Sequence, residues 1–182
     1  MRITPTALPG VLILEPRVIA DERGFFMESF NQRAFDAAVG QAVSFVQDNH
    51  SCSQRGVLRG LHYQLPPHAQ GKLVRVVRGS AFDVAVDIRR GSPTFGHWVG
   101  FTLDAVDNRQ MWVPAGFAHG FLALEDDTHF LYKTSAYYAR DCERAIAWND
   151  AAIGIEWPAL GSSPQLAAKD AAAPCLADAQ TF

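Results

Sequence analysis

The chain has 182 residues, 48% of them hydrophobic and 19% charged, which suits one globular domain with a sizeable core and excludes a disordered chain. A formal net charge of -3 leaves no global basic field for nucleic acid, so an anionic small ligand would need a local basic cluster. Cys52, Cys142 and Cys175 form no CxxC pair and point to free thiols in a reducing compartment, and Val11–Leu14 is too short for a signal or membrane span, so a cytoplasmic protein is expected.

In chain order, the first β-rich run is Phe25–Phe30. A helix is expected over Asn31–Val39, with Asn31 as its N-terminal cap and Gly40 at the left-handed C-terminal position. Val43–Val46 and Val57–Tyr63 read as short strands. The strongest strand signal runs from Lys72 to Arg89. There Phe82, Val84, Val86 and Ile88 alternate with Ala81, Asp83, Ala85 and Asp87. Leu73–Val77 precedes this run across Gly79-Ser80, and a leading glycine suits a type II′ hairpin turn. Further β-rich runs are His97–Leu103, Gln110–Val113, Gly120–Leu124 and His129–Thr134. Turns fall at Gly91-Ser92-Pro93, Asp107-Asn108, Pro114-Ala115-Gly116 and Glu125-Asp126-Asp127. After Tyr137 the chain is less regular, with short helices suggested near Ala151 and over Ala167–Ala173. Many short, closely spaced strands read as a mainly β sandwich or barrel.

The densest polar constellation is Arg59-Gly60-Leu61-His62-Tyr63-Gln64. Strict alternation puts Arg59, Leu61 and Tyr63 on one face and Gly60, His62 and Gln64 on the other. The two histidine-bearing segments, Gly56–Gly79 and Pro114–Phe121, resemble the paired motifs of cupins. Metal-binding cupins place two histidines and a carboxylate in the first motif. Here Gln64 stands where the second histidine is expected, and Gln70 or Lys72 lies where a carboxylate would be wanted. His62 and His119 alone make a poor metal site, so a barrel without metal is expected. His50, His68, His97 and His129 share no ligand spacing and read as structural or solvent-facing. No nucleophile elbow, phosphate-binding glycine loop or dinucleotide fingerprint is present.

Taken together, the motifs resemble the dTDP-4-dehydrorhamnose 3,5-epimerase family. The matching runs are Asp21–Glu28, Gln47–Ser51, Gly56–Gln64, Gly71–Val76, Pro114–Phe121, Leu131–Thr134, Tyr137-Tyr138 and Ala168–Asp170, in that order from about Glu15 to Asp170. Departures are small: Cys52 and Ala167-Ala168 stand where more polar residues are common. The resemblance implies a cupin-like jelly roll and a homodimer formed by strand exchange. It implies a dTDP-linked 4-keto-6-deoxy sugar as substrate, and no cofactor.

Epimerisation beside a ketone removes a proton from one face, passes through an enolate and returns a proton to the other face. It needs a base, an opposed acid and a cation for the enolate oxygen. The resemblance implies His62 as base, Asp170 as its orienting carboxylate, Lys72 beside the enolate oxygen and Tyr132 as acid. It also implies substrate contacts for Arg23, Phe26, Glu28, Gln47, Asp48, Asn49, Arg59, Lys72 and His119, with Tyr138 stacked on the base and Glu143 and Lys169 nearby. Alternatives are an epimerase acting at C3 or C5 only, a non-catalytic sugar-nucleotide-binding cupin, and a metal-dependent cupin oxygenase. The motifs do not separate the single from the double epimerase.

Overall fold

The alternation at residues 80–88 is realised as a strand buried on both faces. The computed structural model describes residues 1–182. Its elements are β1 (Arg2–Pro5), β2 (Leu12–Glu15), β3 (Val18–Asp21), β4 (Gly24–Met27), α1 (Gln32–Val39), β5 (Gln47–Ser53), β6 (Leu58–Gln64) and β7 (Lys72–Arg78). They continue with β8 (Ser80–Asp87), β9 (Trp98–Asp104), β10 (Gln110–Val113), β11 (Phe117–Ala123), β12 (Thr128–Thr134), β13 (Glu143–Ala145) and α2 (Ala168–Ala171). A six-stranded antiparallel sheet, in the order β1-β2-β10-β7-β12-β5, faces a five-stranded one, β13-β6-β11-β8-β9. This is a cupin-like jelly roll. No helix is long and apolar enough to cross a membrane.

Side-chain parity along the strands sorts the core into layers. Ala81 and Ala85 of β8 join Val74, Val76, Met111, Phe121 and Phe130 between the sheets. Val84, Val86 and Ile88 point the other way. There Ile146, Ile153, Leu176 and Ala179, from the C-terminal segment, cover the outer face of the five-stranded sheet. That segment is irregular, yet its apolar side chains seal the sheet from water. On the outside of the six-stranded sheet, α1 buries Phe35 against Trp112, Leu73 and Leu14. Asn31 caps α1 by accepting the Ala34 N–H at 3.0 Å, and Gly40 ends it at φ 76°, both as expected from the sequence.

Several expectations are corrected. Gly79-Ser80 is not a hairpin: β7 and β8 lie in different sheets, and the chain turns a corner between them. Gly79 has φ 73°, and a Cβ there would stand 2.6 Å from Thr128 Oγ1, so the corner demands glycine. Val43–Val46 is not a strand. Val43 packs under α1, and pairing starts at Gln47, where β5 meets β12. The run expected over Phe25–Phe30 stops at Met27, and the Ala151 segment is a turn. Strands β1, β2, β3 and β13 carried too few alternating residues to stand out.

Candidate active site

Between the sheets lies a cavity of about 660 Å³. One wall is the inward face of β6 and β11, which carries His62 and His119; these two residues are directly paired across the strands. The facing wall belongs to the six-stranded sheet and carries Gln47 and Asn49 on β5, Lys72 on β7 and Tyr132 on β12. His62 and Tyr132 therefore enter the cavity from opposite sheets. The segment around α2 closes one side with Ala167, Lys169 and Asp170.

Arg59 also lines this cavity, which corrects the expectation from strict alternation. Between the pairs His119–His62 and Phe121–Arg59, β6 spends three steps against two on β11. This bulge turns Arg59 to the same side as His62, while Leu61 and Tyr63 stay in the outer core. Gly60 makes the bulge feasible. Its φ is 135°, and a Cβ there would approach Gly120 Cα to 2.6 Å.

His62 Nε2 lies 2.6 Å from Asp170 Oδ1, and the Asp170 side chain is 2% exposed. Burial alone would raise the carboxyl's pKa. The His62 hydrogen bond and charge, the Gly60 N–H and Lys169 outweigh it and hold the pKa below the ordinary value. An ionised Asp170 accepts only, so Nε2 carries the proton and the lone pair sits on Nδ1. Lys72 is buried, and its ammonium donates to the His62 carbonyl at 3.2 Å. Burial lowers its pKa to about 8, against the pull of Asp83 and Glu143. Burial also raises the Tyr132 phenol, partly offset by Arg59, so Tyr132 is a protonated donor at neutral pH.

Side chains at the rim interlock. Tyr138 donates its hydroxyl to Glu143 Oε2 at 3.0 Å, Lys169 binds Glu143 Oε1 at 3.0 Å, and the Tyr138 N–H reaches Gln47 Oε1. Gln47 in turn donates to Asn49 at 2.9 Å. Arg59 anchors Nε on Ser53 Oγ and one terminal nitrogen on the Cys52 carbonyl. Together Arg59, Lys72 and Lys169 supply the local cationic cluster that the net charge lacks.

Gln64 has a structural task. Its amide donates to the carbonyls of His68 and Tyr137, and its oxygen accepts the Ala139 N–H. It thus fastens the chain that carries Tyr138.

Two polar residues had been given no site role from the sequence. Asp83 is fully buried on the inward face of β8, and its Oδ1 takes the His119 Nε2 contact at 2.7 Å. Its other oxygen has no hydrogen-bond partner. A carboxylate in the middle of a buried strand, flanked by Phe82 and Val84, was the available signal. Ser51 lines the cavity with a buried, unpartnered hydroxyl.

Four expected contacts are not at this cavity. Asp48 has the opposite parity on β5, pairs with Lys133 at 3.0 Å and borders a separate cavity of about 190 Å³. Arg23, Phe26 and Glu28 lie in or just after the β3–β4 hairpin. This hairpin belongs to neither large sheet, and Arg23 reaches only Asp21. Phe26 is 70% exposed and Phe25 62% exposed.

Comparison with known proteins places the chain in a family. The dTDP-4-dehydrorhamnose 3,5-epimerase family model matches residues 5–178. The dTDP-4-dehydrorhamnose 3,5-epimerase of Pseudomonas aeruginosa is 59% identical over 182 residues, covering 100% of this chain and 99% of that one. The Shigella flexneri protein of the same name is 58% identical, with the same coverage. The crystal structure of a Legionella pneumophila dTDP-6-deoxy-D-glucose-3,5-epimerase with dTDP-4-keto-L-rhamnose superposes with a TM-score of 0.94 at 50% identity, covering 97% of this chain and 93% of that one.

Proposed function

The chain belongs to the dTDP-4-dehydrorhamnose 3,5-epimerase family, and we propose that it inverts C3 and C5 of dTDP-4-dehydro-6-deoxy-D-glucose by proton transfer through an enolate, giving dTDP-4-dehydro-L-rhamnose. The observation that carries the mechanism is the pairing of His62, fixed by Asp170, with Tyr132 on the facing sheet of one cavity. A sugar ring between them meets a base on one face and an acid on the other.

His62 Nδ1 takes the proton next to the C4 ketone. The electron pair moves onto the ketone oxygen, where the Lys72 ammonium stabilises the charge. Tyr132 then delivers a proton to the opposite face, and the C–O double bond reforms. His62 returns its proton to solvent and Tyr132 regains one, so one cycle inverts one carbon. Arg59 and Lys169 offer charge-assisted contacts to the diphosphate, and Tyr138 offers a ring for the thymine to stack on.

Arg23, Phe26 and Glu28 act in a homodimer. Their exposed hairpin is suited to docking on a second copy, and β5, which carries Gln47 and Asn49, is a free edge of the six-stranded sheet. Three free cysteines fit a reducing, cytoplasmic setting.

Product analysis with dTDP-4-keto-6-deoxyglucose, resolving C3 and C5 separately, tests the activity. Inversion at both carbons is expected. Inversion at one carbon only restricts the enzyme to a single epimerisation, and no inversion removes the assignment.

A further inference from the structure

Asp83 has no part in the proton transfers above, yet it is a fully buried carboxylate in the middle of β8. Its side chain shares the parity of Ala81 and Ala85, which belong to the apolar layer between the sheets. A buried carboxylate is costly unless hydrogen bonds or an opposite charge offset it. Here one oxygen is satisfied and the other is not. Oδ1 lies 2.7 Å from His119 Nε2, and Oδ2 has no hydrogen-bond partner. An ionised Asp83 accepts only, so His119 carries its proton on Nε2.

Lys72 is the buried charge of opposite sign. Its ammonium donates to the His62 carbonyl rather than to an acid. Burial draws its pKa down to about 8; Asp83 and, after it, Glu143 resist that fall, and Lys169 adds to it. Glu143 is already bound by the Lys169 ammonium and the Tyr138 hydroxyl at the partly exposed rim, so most of its field at Lys72 is cancelled. Asp83 is bound by no lysine or arginine and is 0% exposed, so little water screens its charge. The coupling is mutual. Burial raises the Asp83 carboxyl, and His119 and Lys72 oppose the rise.

We propose that Asp83 is a positioning residue for the epimerisation: its carboxylate holds His119 by Nε2 and acts through space as the counter-ion that keeps Lys72 an ammonium. The inference rests on the role given to Lys72 at the enolate. A neutral amine there could donate a hydrogen bond but would bring no positive charge to the enolate oxygen.

Nuclear magnetic resonance of the full-length protein tests this. Lys72, Lys133 and Lys169 are the only lysines, so carbon-13 labelling at lysine Cε gives three resonances, and Lys72→Met identifies the one from Lys72. Its titration midpoint should lie at about 8 in the parent. In Asp83→Asn, which keeps the shape and loses the charge, it should fall by about one pH unit or more. The alkaline limb of kcat should move down with it. Loosened packing would instead admit water and move the midpoint up. A Lys72 midpoint that stays or rises in Asp83→Asn overturns the proposal. A midpoint that falls while the kcat limb stays in place confirms the counter-ion and removes Lys72 from the enolate, so the two readings fail separately. If Asp83→Asn does not fold, the reciprocal titration decides. The Asp83 carboxyl midpoint, followed at its Cγ resonance, should rise in Lys72→Met, and an unchanged midpoint overturns the proposal.

Discussion

His62 and Asp170 are 108 positions apart in sequence and 2.6 Å apart in space. The contact ties the bulged strand β6 to the single-turn helix α2 and decides which imidazole nitrogen faces the cavity. Asp170→Asn keeps the shape and removes the charge that stabilises the imidazolium. We expect kcat to fall about 10²–10⁴-fold with little change in KM, measured by steady-state kinetics. Near-parent kcat would show that Asp170 only packs.

The proposed clamp on the nucleotide is separable from the chemistry. Arg59→Ala removes a charge-assisted contact and should weaken dTDP binding by about 2 kcal/mol in calorimetry. Tyr138→Ala loses the stacking ring together with its hydrogen bond to Glu143, and should also bind dTDP poorly. If both variants bind dTDP as the parent does, the nucleotide does not occupy this rim.

Lys72 gives the enzyme an alkaline limit. Its ammonium is lost as pH rises through about 8, so kcat should fall above that value. Lys72→Arg, whose charge persists, should move the limb upward even if its maximal rate is lower. The stability effect has the opposite sign. A lysine whose folded pKa lies below its unfolded pKa of about 10.4 destabilises the fold while protonated, and that cost disappears as pH climbs from about 8 to about 10.4. Denaturant midpoints should therefore rise over this interval relative to Lys72→Met.

The proposed homodimer makes a linked prediction. Light scattering at micromolar concentration should give twice the chain mass of 19.9 kDa. Phe26→Asp replaces an exposed apolar side chain of the hairpin with a charge and should lower both the mass and the activity. A parent mass near 19.9 kDa removes the role of Arg23, Phe26 and Glu28.

Much of this site was legible in the sequence because its residues fall in strands with clear parity. Lys72, His62 and Tyr132 face inward as alternation or motif order implies. Arg59 did not follow, since one extra residue at a bulge reverses every side chain beyond it. The Gly79 corner looked like a hairpin because both need a glycine at positive φ, and only sheet membership separates them. Asp83 was visible as a charge at inward parity, but its partner His119 lies on another strand. Arg23, Phe26 and Glu28 matched a motif, but motif order carries no distance, and in one copy of the chain the segment that bears them lies apart from the cavity.

The two proton-transfer roles should fail differently when removed. His62→Ala deletes the base, so no enolate forms. Both inversion and uptake of solvent deuterium should vanish. Tyr132→Phe keeps the ring that packs near Phe130 and deletes only the hydroxyl. The enolate still forms in that variant, and His62 returns a solvent-derived deuteron to the face it came from. Deuterium should therefore wash into C3 or C5 while inverted sugar falls about 10²–10⁴-fold. Lys72→Ala acts on the enolate common to both outcomes, so exchange and inversion should slow together. Mass spectrometry of the recovered sugar nucleotide, with nuclear magnetic resonance to locate the label, reads all three. Inversion by Tyr132→Phe at near-parent rate reduces Tyr132 to packing. Exchange by His62→Ala at near-parent rate removes the base and the mechanism built on it.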